Sequence, residues 1–476
     1  MGINCAAIDL GASSGRLMLG EYDGEKIKLS EVYRFTNEPV KLRGTLYWNT
    51  FGLFREIKEG LKKISAMGQK IASVGIDTWG VDYGLLDKDD NIIGFPIHYR
   101  DVRTAGITER AAKKMPLDSI YSITGIQFMD FNTIFQLFAD NFTRPAVLQN
   151  ADKFLMMPDL MNFLLSGVKL NEYTNLSTTQ ALDARNKKID AGLLKNLGIP
   201  EKIFCETVEP GNVIGGFSND IGEETGLKNI KVVAVGSHDT ASAVCGTPLT
   251  GGDSAYISCG TWSLLGIETP EPIINGDSYK YNFTNEGGVE NTIRFLKNIN
   301  GLWIIQQLRK SYNENNNASL GFAEIVSAAE NAKNKDLKID PSDPSFTAPP
   351  DMTKAIVDHL KKSGLKTPDG LGEIAASVYN GITDEYASHV ANLEKITGKK
   401  INKINMIGGG IKDEYLCKLS AVKTGKIIEA GPVEASVLGN IVMQLKAIGE
   451  INGMKQGREI ISRSFARKVY EPDAVK

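Results

Sequence analysis

The sequence predicts an α/β protein with two domains joined near residue 245 and a cleft between them. Its 476 residues, of which 42% are hydrophobic, suffice for about three cores of ordinary size or for two large ones. Each half opens with a turn-rich pair of strands and then continues into strand and helix units. We therefore predict domains at residues 1–244 and 245–476.

The first hundred residues predict three strands, a helix and a further strand, which is not a simple alternation of strands and helices. Asp23-Gly24 is a hairpin signal between the second and third strands. The helix is amphipathic, with Phe54, Ile57 and Leu61 on one face. The predicted elements are strands at Asn4–Asp9, Gly15–Tyr22, Lys26–Phe35 and Ile71–Asp77, and a helix at Phe51–Met67.

The second half repeats this pattern from about residue 250. A long helix is predicted over Pro368–Ile396 with Thr367 as its N-cap, because threonine caps helices and proline favours the first helical position. The other predicted elements are strands at Ser254–Ser258, Ser263–Glu268, Lys403–Ile407 and Lys426–Glu429, helices at Asp413–Ala421 and Val433–Ile448, and a Pro-rich loop at Asp340–Pro350.

Charge and composition exclude several classes of partner. The 54 Lys and Arg residues nearly balance 57 Asp and Glu residues, so we expect no binding to nucleic acid. No apolar run approaches the roughly 18 residues that a membrane span needs, so we expect no membrane partner. The N-terminal residues Met1–Cys5 lead directly into a strand-like segment, so we expect no signal peptide. The five cysteines are scattered, which predicts free thiols and a cytoplasmic location.

The segment Asp9–Arg16 places a carboxylate and a loop of small hydroxyl residues at the end of an apolar strand. Its glycines allow backbone N–H groups to approach an anion, Ser13 and Ser14 add donors, and Arg16 adds positive charge. Asp9 is suited to hold Mg²⁺ through water. A tight hairpin with solvated serines is an equally good interpretation of this segment taken alone.

The segment Gly236–Ala243 follows the apolar strand Lys231–Val235. We expect a glycine turn and then a helix whose first turn holds Asp239, where a fixed carboxylate can accept a proton from a substrate hydroxyl. Helix capping by Ser237 or Asp239 is the alternative. For His238 taken alone, orientation or packing is favoured over proton transfer.

Two further glycine-rich turns lie in the second half. Ser258–Ser263 offers a second Gly-Thr phosphate turn, or an ordinary β-turn, and Asn405–Gly410 leads a strand into three glycines against which adenine can lie. The latter fails the dinucleotide pattern because Asp413 stands where its last glycine is needed. The chain has no P-loop motif, and His98–Asp101 is not the catalytic loop of a protein kinase.

The segment Gly75–Tyr83 gathers polar and aromatic residues at the end of a strand. A sugar pocket needs carboxylates for hydroxyl groups and aromatic faces for C–H surfaces. We predict a pocket that includes this segment; core packing is the alternative for its aromatic residues. Within this segment, the predicted pocket residues are Asp77, Trp79, Gly80 and Tyr83.

Taken together, these segments resemble the FGGY carbohydrate kinases of the actin/hexokinase-like superfamily, over nearly the whole chain, and most closely the rhamnulokinase branch. Alanine and two serines at 12–14 replace the Gly-Thr-Thr frequent in the superfamily, which is typical of that branch. The matching stretches are DLGASSGR, GIDTWGVDYGLLD, YRDVRT, GIQFMDFNTIFQL, EYTNLSTTQ, PGNVIG, SHDTASAV, SCGTWSLLG, NEGG, LKNINGLWIIQ, GGGIKDEYL and GPVEASVLGN.

The resemblance implies two actin/hexokinase-like (ribonuclease H-like) domains with a catalytic cleft between them. It also implies a role for each matching residue. Asp239 is the catalytic base, and Asp9 lies near Mg²⁺. The implied sugar contacts are Gly80, His238, Thr240 and Asn298. The implied contacts to ATP are Ala12, Ser13, Ser14, Gly15, Arg16, Thr261, Gln306 and Gly409.

The implied reaction is phosphorylation of L-rhamnulose by ATP at the 1-hydroxyl group, a step of L-rhamnose breakdown. The partners are then a ketose and ATP, with the protein a monomer or small homo-oligomer. One alternative is a related kinase for L-fuculose or a pentulose. A non-catalytic, ATP-dependent sugar sensor on the same fold is another, since one fold hosts many functions.

Overall fold

A computed structural model describes residues 2–249, 251–347 and 349–473. The strands are β1 (Ile3–Leu10), β2 (Ser14–Tyr22), β3 (Ile27–Thr36), β4 (Val40–Leu42), β5 (Thr45–Tyr47), β6 (Ser73–Thr78), β7 (Tyr83–Leu86), β8 (Lys153–Met156), β9 (Asn171–Glu172), β10 (Leu182–Asp183), β11 (Lys188–Ile189), β12 (Thr207–Val208), β13 (Asn212–Gly216), β14 (Lys231–Ala234), β15 (Ser254–Cys259), β16 (Trp262–Thr269), β17 (Thr284–Gly287), β18 (Ile293–Asn300), β19 (Lys403–Ile407), β20 (Ile427–Ala430) and β21 (Lys468–Tyr470).

The helices are α1 (Thr50–Ala66), α2 (Ile107–Ala112), α3 (Leu117–Thr124), α4 (Thr133–Thr143), α5 (Pro145–Asn150), α6 (Met157–Ser166), α7 (Tyr173–Leu176), α8 (Ala191–Asn196), α9 (Asn219–Thr225), α10 (Asp239–Cys245), α11 (Gly276–Lys280), α12 (Trp303–Asn316), α13 (Phe322–Glu330), α14 (Met352–Lys362), α15 (Gly370–Thr397), α16 (Glu414–Thr424), α17 (Ala435–Ala447) and α18 (Met454–Ser464). In the described part of the chain, none of them is long and apolar enough to cross a membrane.

Packing divides the chain into two units. The first comprises Met1–Pro248, Glu268–Phe295 and Ala435–Phe465, and the second comprises Leu249–Ile267, Leu296–Glu434 and Ala466–Lys476. Two segments from the second half of the sequence, 268–295 and 435–465, therefore pack with the first unit. The boundary that we predicted between residues 244 and 245 stays a prediction.

The first unit is built on a six-stranded sheet of order β13-β14-β6-β1-β2-β3. Strands β1, β2 and β3 form an antiparallel meander, whereas β14, β6 and β1 run parallel. Strand β6 is buried along its whole length, as expected for a strand covered on both faces. Because parallel strands end at the same edge of a sheet, the residues that follow β1, β6 and β14 meet there.

Helix α17 packs in the first unit against α10 and the central strands. A Cβ atom on Gly439 would lie 1.8 Å from the carbonyl oxygen of Ser242 in α10, so only glycine permits this close approach. Buried amide side chains then tie α17 to the sheet. Asn440 donates to the carbonyl oxygen of Gly75 at 3.1 Å, and Gln444 donates to that of Ala6 at 2.9 Å.

The second unit repeats the plan of the first. Its strands follow the order β18-β16-β15-β19-β20-β21. Strands β15 and β16 form an antiparallel hairpin, β19 and β20 run parallel to β15, and β21 closes the edge in the antiparallel sense. The predicted α/β class, with two units that each open on a hairpin, is confirmed.

Two details in the second unit correct or limit the sequence predictions. Helix α15 begins at Gly370, so the predicted N-cap Thr367 and the start at Pro368 are wrong. Gly370 has a left-handed φ of 79°, which separates Pro368 from the regular helix. The predicted Pro-rich loop contains a short 3₁₀ turn at Pro344–Phe346, and its residue 348 lies outside the described residues.

Candidate active site

Three carboxylates meet at the carboxyl edge of the sheet in the first unit. Asp9 in β1 and Asp77 in β6 are register partners on neighbouring parallel strands. Asp239 is the first residue of α10, which follows β14. Burial raises the pKa of Asp77 well above its ordinary value, and the charges of Asp9 and Asp239 raise it further. The edge is therefore rich in acidic oxygens.

Asp239 is the member of this cluster that is most open to a ligand, with 34% of its side chain exposed. The hydroxyl of Thr240 donates to its Oδ1 at 3.2 Å, and Nε2 of His238 lies 3.5 Å from the same oxygen. Loss of hydration raises the pKa of Asp239, and His238 opposes this shift. An accessible, oriented carboxylate of raised pKa is suited to accept a proton from a hydroxyl group.

The turn before Asp239 is held by the buried carboxylate of Glu172. Glu172 accepts hydrogen bonds from the backbone N–H of Ser237 at 3.1 Å and from the Ser237 hydroxyl. It also caps α7, where it accepts from the N–H and hydroxyl of Thr174 and from the N–H of Asn175. One carboxylate thus fixes the backbone two residues before Asp239.

His238 contacts an ion pair from β17 and β18. Its Nδ1 lies 3.1 Å from Nη2 of Arg294 and 3.3 Å from Oε2 of Glu286. Arg294 and Glu286 also contact each other, with Nη1 and Oε2 3.1 Å apart. Arg294 is 0% exposed and Glu286 only 5%, so the pair lies beneath the site.

The segment Gly11–Ser13 is a tight turn between β1 and β2. The N–H of Gly11 donates to the carbonyl oxygen of Ser14 at 2.8 Å, and the Asn37 side chain donates to the carbonyl oxygen of Gly11 at 2.8 Å. Ser13 is exposed at the tip. The hairpin interpretation describes this local geometry, and an anion can still bind to such a turn.

Arg16 lies opposite Asp9 in the β1–β2 ladder and pairs with it. Its Nη2 and Nε donate to Oδ2 of Asp9 at 2.7 and 3.0 Å. The Asp9 side chain is 12% exposed. In this structure the Arg16 charge therefore balances a carboxylate of the site as well as adding positive charge near the turn.

Asp9 and Asp77 carry the kind of hard oxygen atom that a divalent cation such as Mg²⁺ prefers as a ligand. Oδ2 of Asp77 accepts from Asn440 at 2.6 Å, whereas its buried Oδ1 has no hydrogen-bond partner among the described residues. Within that same set, no cluster of three or more His, Cys, Asp and Glu side chains forms a metal cage. Mg²⁺ usually takes only one or two protein carboxylates, with water and substrate phosphates as its other ligands.

The aromatic residues after β6 are buried in the structure and do not line the pocket that the sequence predicted. Tyr83 is 2% exposed, and its hydroxyl donates to Asp140 at 2.6 Å. Trp79 is 6% exposed and stacks on Trp48 at 3.9 Å between ring centroids. Both rings pack in hydrophobic cores, so the prediction that they line a sugar pocket is wrong. Gly80 between them is half-buried.

Four of the predicted site residues lie in the second unit. Thr261 follows Gly260 in the turn between β15 and β16, as predicted. Gln306 is on α12, Asn298 is in β18, and the exposed Gly409 begins the 3₁₀ turn after β19. The remaining predicted residues, which are Asp9, Ala12, Ser13, Ser14, Gly15, Arg16, Gly80, His238, Asp239 and Thr240, lie in the first unit.

Sequence reasoning gave no role to Glu172, Glu286 or Arg294. Glu172 and Glu286 stood in the matching stretches EYTNLSTTQ and NEGG. Nothing in local spacing places residues 172, 286 and 294 against the turn at 237–239, because β-sheet pairing and helix packing bring them there.

Comparison with known proteins places the whole chain among sugar kinases. Residues 5–246 match the N-terminal domain of the FGGY family of carbohydrate kinases, and residues 255–448 match its C-terminal domain. A rhamnulokinase of Halalkalibacterium halodurans is 42% identical over 464 residues, which cover 98% of each chain. A rhamnulokinase of Bacteroides thetaiotaomicron is 38% identical, with 98% of this chain and 96% of that one covered.

Solved structures share the fold at low sequence identity. A ligand-bound xylulose kinase from Lactobacillus acidophilus aligns with a TM-score of 0.82 and 18% identity, over 99% of this chain and 94% of that one. Plasmodium falciparum glycerol kinase with ADP aligns with a TM-score of 0.79 and 16% identity, over the same shares.

Proposed function

This chain belongs to the FGGY family of carbohydrate kinases, and we propose that it transfers the γ-phosphoryl group of ATP to the 1-hydroxyl of L-rhamnulose. The products are L-rhamnulose 1-phosphate and ADP, in the breakdown of L-rhamnose. The choice of ketose is supported by relatives named rhamnulokinase, which are 38–42% identical over 98% or more of this chain.

The single observation that carries the chemistry is the environment of Asp239. Its carboxylate is partly exposed, receives a hydrogen bond from Thr240 and has a raised pKa. In the proposed reaction Asp239 accepts the proton of the sugar 1-hydroxyl as that oxygen bonds to phosphorus. Gly80, His238, Thr240 and Asn298 contact the sugar.

Phosphoryl transfer has a loose transition state, so positioning and charge neutralisation matter more than the strength of the base. In the proposal, Ala12–Arg16 and Thr261 donate hydrogen bonds to the phosphates, and Gln306 and Gly409 bind the nucleoside part of ATP. Asp9 would hold Mg²⁺, and beside it lies Oδ1 of Asp77, which has no hydrogen-bond partner in the described part of the chain. Bound Mg²⁺ would supply neutralisation of phosphate charge.

The substrate assignment is tested by kcat/KM for L-rhamnulose, L-fuculose and the pentulose that lacks only the methyl carbon, at fixed Mg²⁺ and ATP. A misplaced hydroxyl leaves a polar group of the site unpaired, at a cost of roughly 1–3 kcal/mol. The missing methyl costs about 1 kcal/mol. We therefore expect a strong preference over L-fuculose and a weaker one over the pentulose.

Two outcomes would contradict this proposal at different levels. Equal or better use of L-fuculose would overturn the choice of ketose and leave the kinase activity intact. No phosphorylation of any of the three sugars, despite binding of sugar and ATP, would favour a sensor instead of an enzyme.

A further inference from the structure

We propose that Arg294 and Glu286 are positioning residues that fix His238 with its hydrogen on Nε2, facing the carboxylate of Asp239. This inference rests on the proposed function, because it gives His238 a task beside the proposed base. All four residues belong to the first unit.

Arg294 and His238 contact each other through two buried nitrogen atoms. Nη2 of Arg294 lies 3.1 Å from Nδ1 of His238. A guanidinium has only N–H donors and no acceptor, so Nδ1 has to be the acceptor. A neutral imidazole that accepts at Nδ1 carries its hydrogen on Nε2.

Burial makes the opposite arrangement costly. Arg294 is 0% exposed and His238 is 8% exposed. A hydrogen on Nδ1 would set two N–H donors against each other at this distance, in a place where water has little access. Leaving a buried donor without an acceptor costs more than the net gain from an ordinary hydrogen bond.

Glu286 is the competing partner, because its Oε2 lies 3.3 Å from the same Nδ1. A carboxylate alone would favour a hydrogen on Nδ1. Here the same oxygen also faces Nη1 of Arg294 at 3.1 Å. Glu286 therefore balances the buried guanidinium charge as an ion pair, and the hydrogen between Arg294 and His238 comes from Nη2 of Arg294.

Arg294 is itself held in one orientation. Its Nε donates to the carbonyl oxygen of Gly287 at 2.9 Å, in the strand that also carries Glu286. The other ring nitrogen of His238, Nε2, lies 3.5 Å from Oδ1 of Asp239. With a hydrogen there, His238 steadies the carboxylate or donates to a sugar hydroxyl, and it cannot compete with Asp239 for the substrate proton.

The first test needs no substrate and no variant of the ion pair. Nitrogen NMR of protein labelled in its four histidine rings distinguishes a protonated from an unprotonated ring nitrogen. His238→Gln identifies the His238 signals by their loss. We expect unprotonated Nδ1 and protonated Nε2 at neutral pH; a hydrogen on Nδ1 would overturn the proposal.

The second test removes the charges together, as Glu286→Gln with Arg294→Met, so that no single buried charge remains. We expect a changed His238 tautomer and a kcat lower by about 3- to 10-fold, the loss of one buried hydrogen bond, with KM for ATP unchanged. Arg294→Lys, which keeps the donor and charge, should retain more activity.

The matched control is Glu429→Gln with Arg467→Met, which removes an Arg–Glu pair of the second unit with 2.5 Å between its atoms. It should change neither the His238 signals nor kcat. Unchanged signals and kcat in the Glu286 and Arg294 variant would overturn the inference. Failure to phosphorylate L-rhamnulose by the wild type would overturn only the proposed function, because the NMR result stands without it.

Discussion

Replacing Glu172 with Gln should destabilise the first unit and slow turnover, because one buried carboxylate serves five donors. Oε1 accepts the Thr174 N–H at 2.8 Å. Oε2 accepts the Thr174 hydroxyl at 2.7 Å, the N–H groups of Asn175 and Ser237 at 3.1 Å each, and the Ser237 hydroxyl. Glutamine has one acceptor oxygen, and its NH₂ group must face a donor.

The magnitude follows from this count. The best fit puts the amide oxygen at the position of Oε2 and leaves the Thr174 N–H unpaired, at a cost of about 1–3 kcal/mol. The four remaining bonds lose their charge assistance, which adds roughly 1–2 kcal/mol. Burial raises the pKa of Glu172, which shows that the buried charge is itself unfavourable, so removing the charge offsets part of this loss of stability. We expect a net loss of about 1–3 kcal/mol.

The assay is a urea titration for the free energy of unfolding, together with kcat and the KM for ATP. Ser237 stands two residues before Asp239, and misplacement of a reacting group by about 1 Å can cost about 100-fold in rate. We expect kcat to fall by about tenfold or more, with KM for ATP unchanged. The matched control is Glu206→Gln, at an exposed glutamate of the same unit. If Glu172→Gln unfolds and turns over like the control, Glu172 does not hold the turn.

Three further predictions use the same unit. Loss of hydration raises the pKa of Asp239, so kcat/KM should fall on acidification at a pH above the ordinary aspartate pKa of about 4. A fall only at or below pH about 4 would argue against Asp239 as the base. Burial raises the pKa of Asp82 to about 6, above its value in the unfolded chain, so the folded protein favours the neutral carboxyl group. The free energy of unfolding should therefore fall by about 3 kcal/mol as pH rises from about 4 to 6 and this carboxyl group loses its proton. Urea titrations should show a smaller fall over this range in Asp82→Asn, and equal falls in both proteins would refute the assignment. In Gly80→Ala the new Cβ would lie 3.1 Å from Cγ2 of Thr178, so KM for the ketose should rise while KM for ATP stays unchanged. Adding Thr178→Ser, which removes that methyl group, should restore part of the ketose affinity. If neither KM changes, Gly80 does not contact the sugar.

The local parts of the fold were predictable because they depend on near neighbours. The hairpin at Asp23-Gly24 and the helix α1 follow from turn chemistry and from a 3.6-residue period. The predicted start of α15 was wrong because the cap signal at Thr367 competes with the left-handed conformation of Gly370, which the sequence does not reveal. The prediction that Trp79 lines the pocket was wrong because the exposure of its ring depends on stacking with Trp48, which lies 31 positions away in the chain.

The site was predictable where a strand end carries its own chemistry, as at Asp9 and Asp239. Glu172, Glu286 and Arg294 were missed because each reaches the site through long-range packing. Helix α17 shows the same limit, since its periodicity predicts a helix and not the unit against which it packs.

The measurement that tests the central claim most directly is transfer of labelled γ-phosphate from ATP to L-rhamnulose by the wild type and by Asp239→Asn. Asparagine keeps the size of the side chain and its capping ability but cannot accept the proton. We predict a wild-type product phosphorylated at C1, identified by carbon–phosphorus coupling in NMR, and turnover lower by about 10²–10⁴ in the variant with ATP binding retained. Near-normal turnover by Asp239→Asn, or a wild-type product phosphorylated at another carbon, would contradict the account.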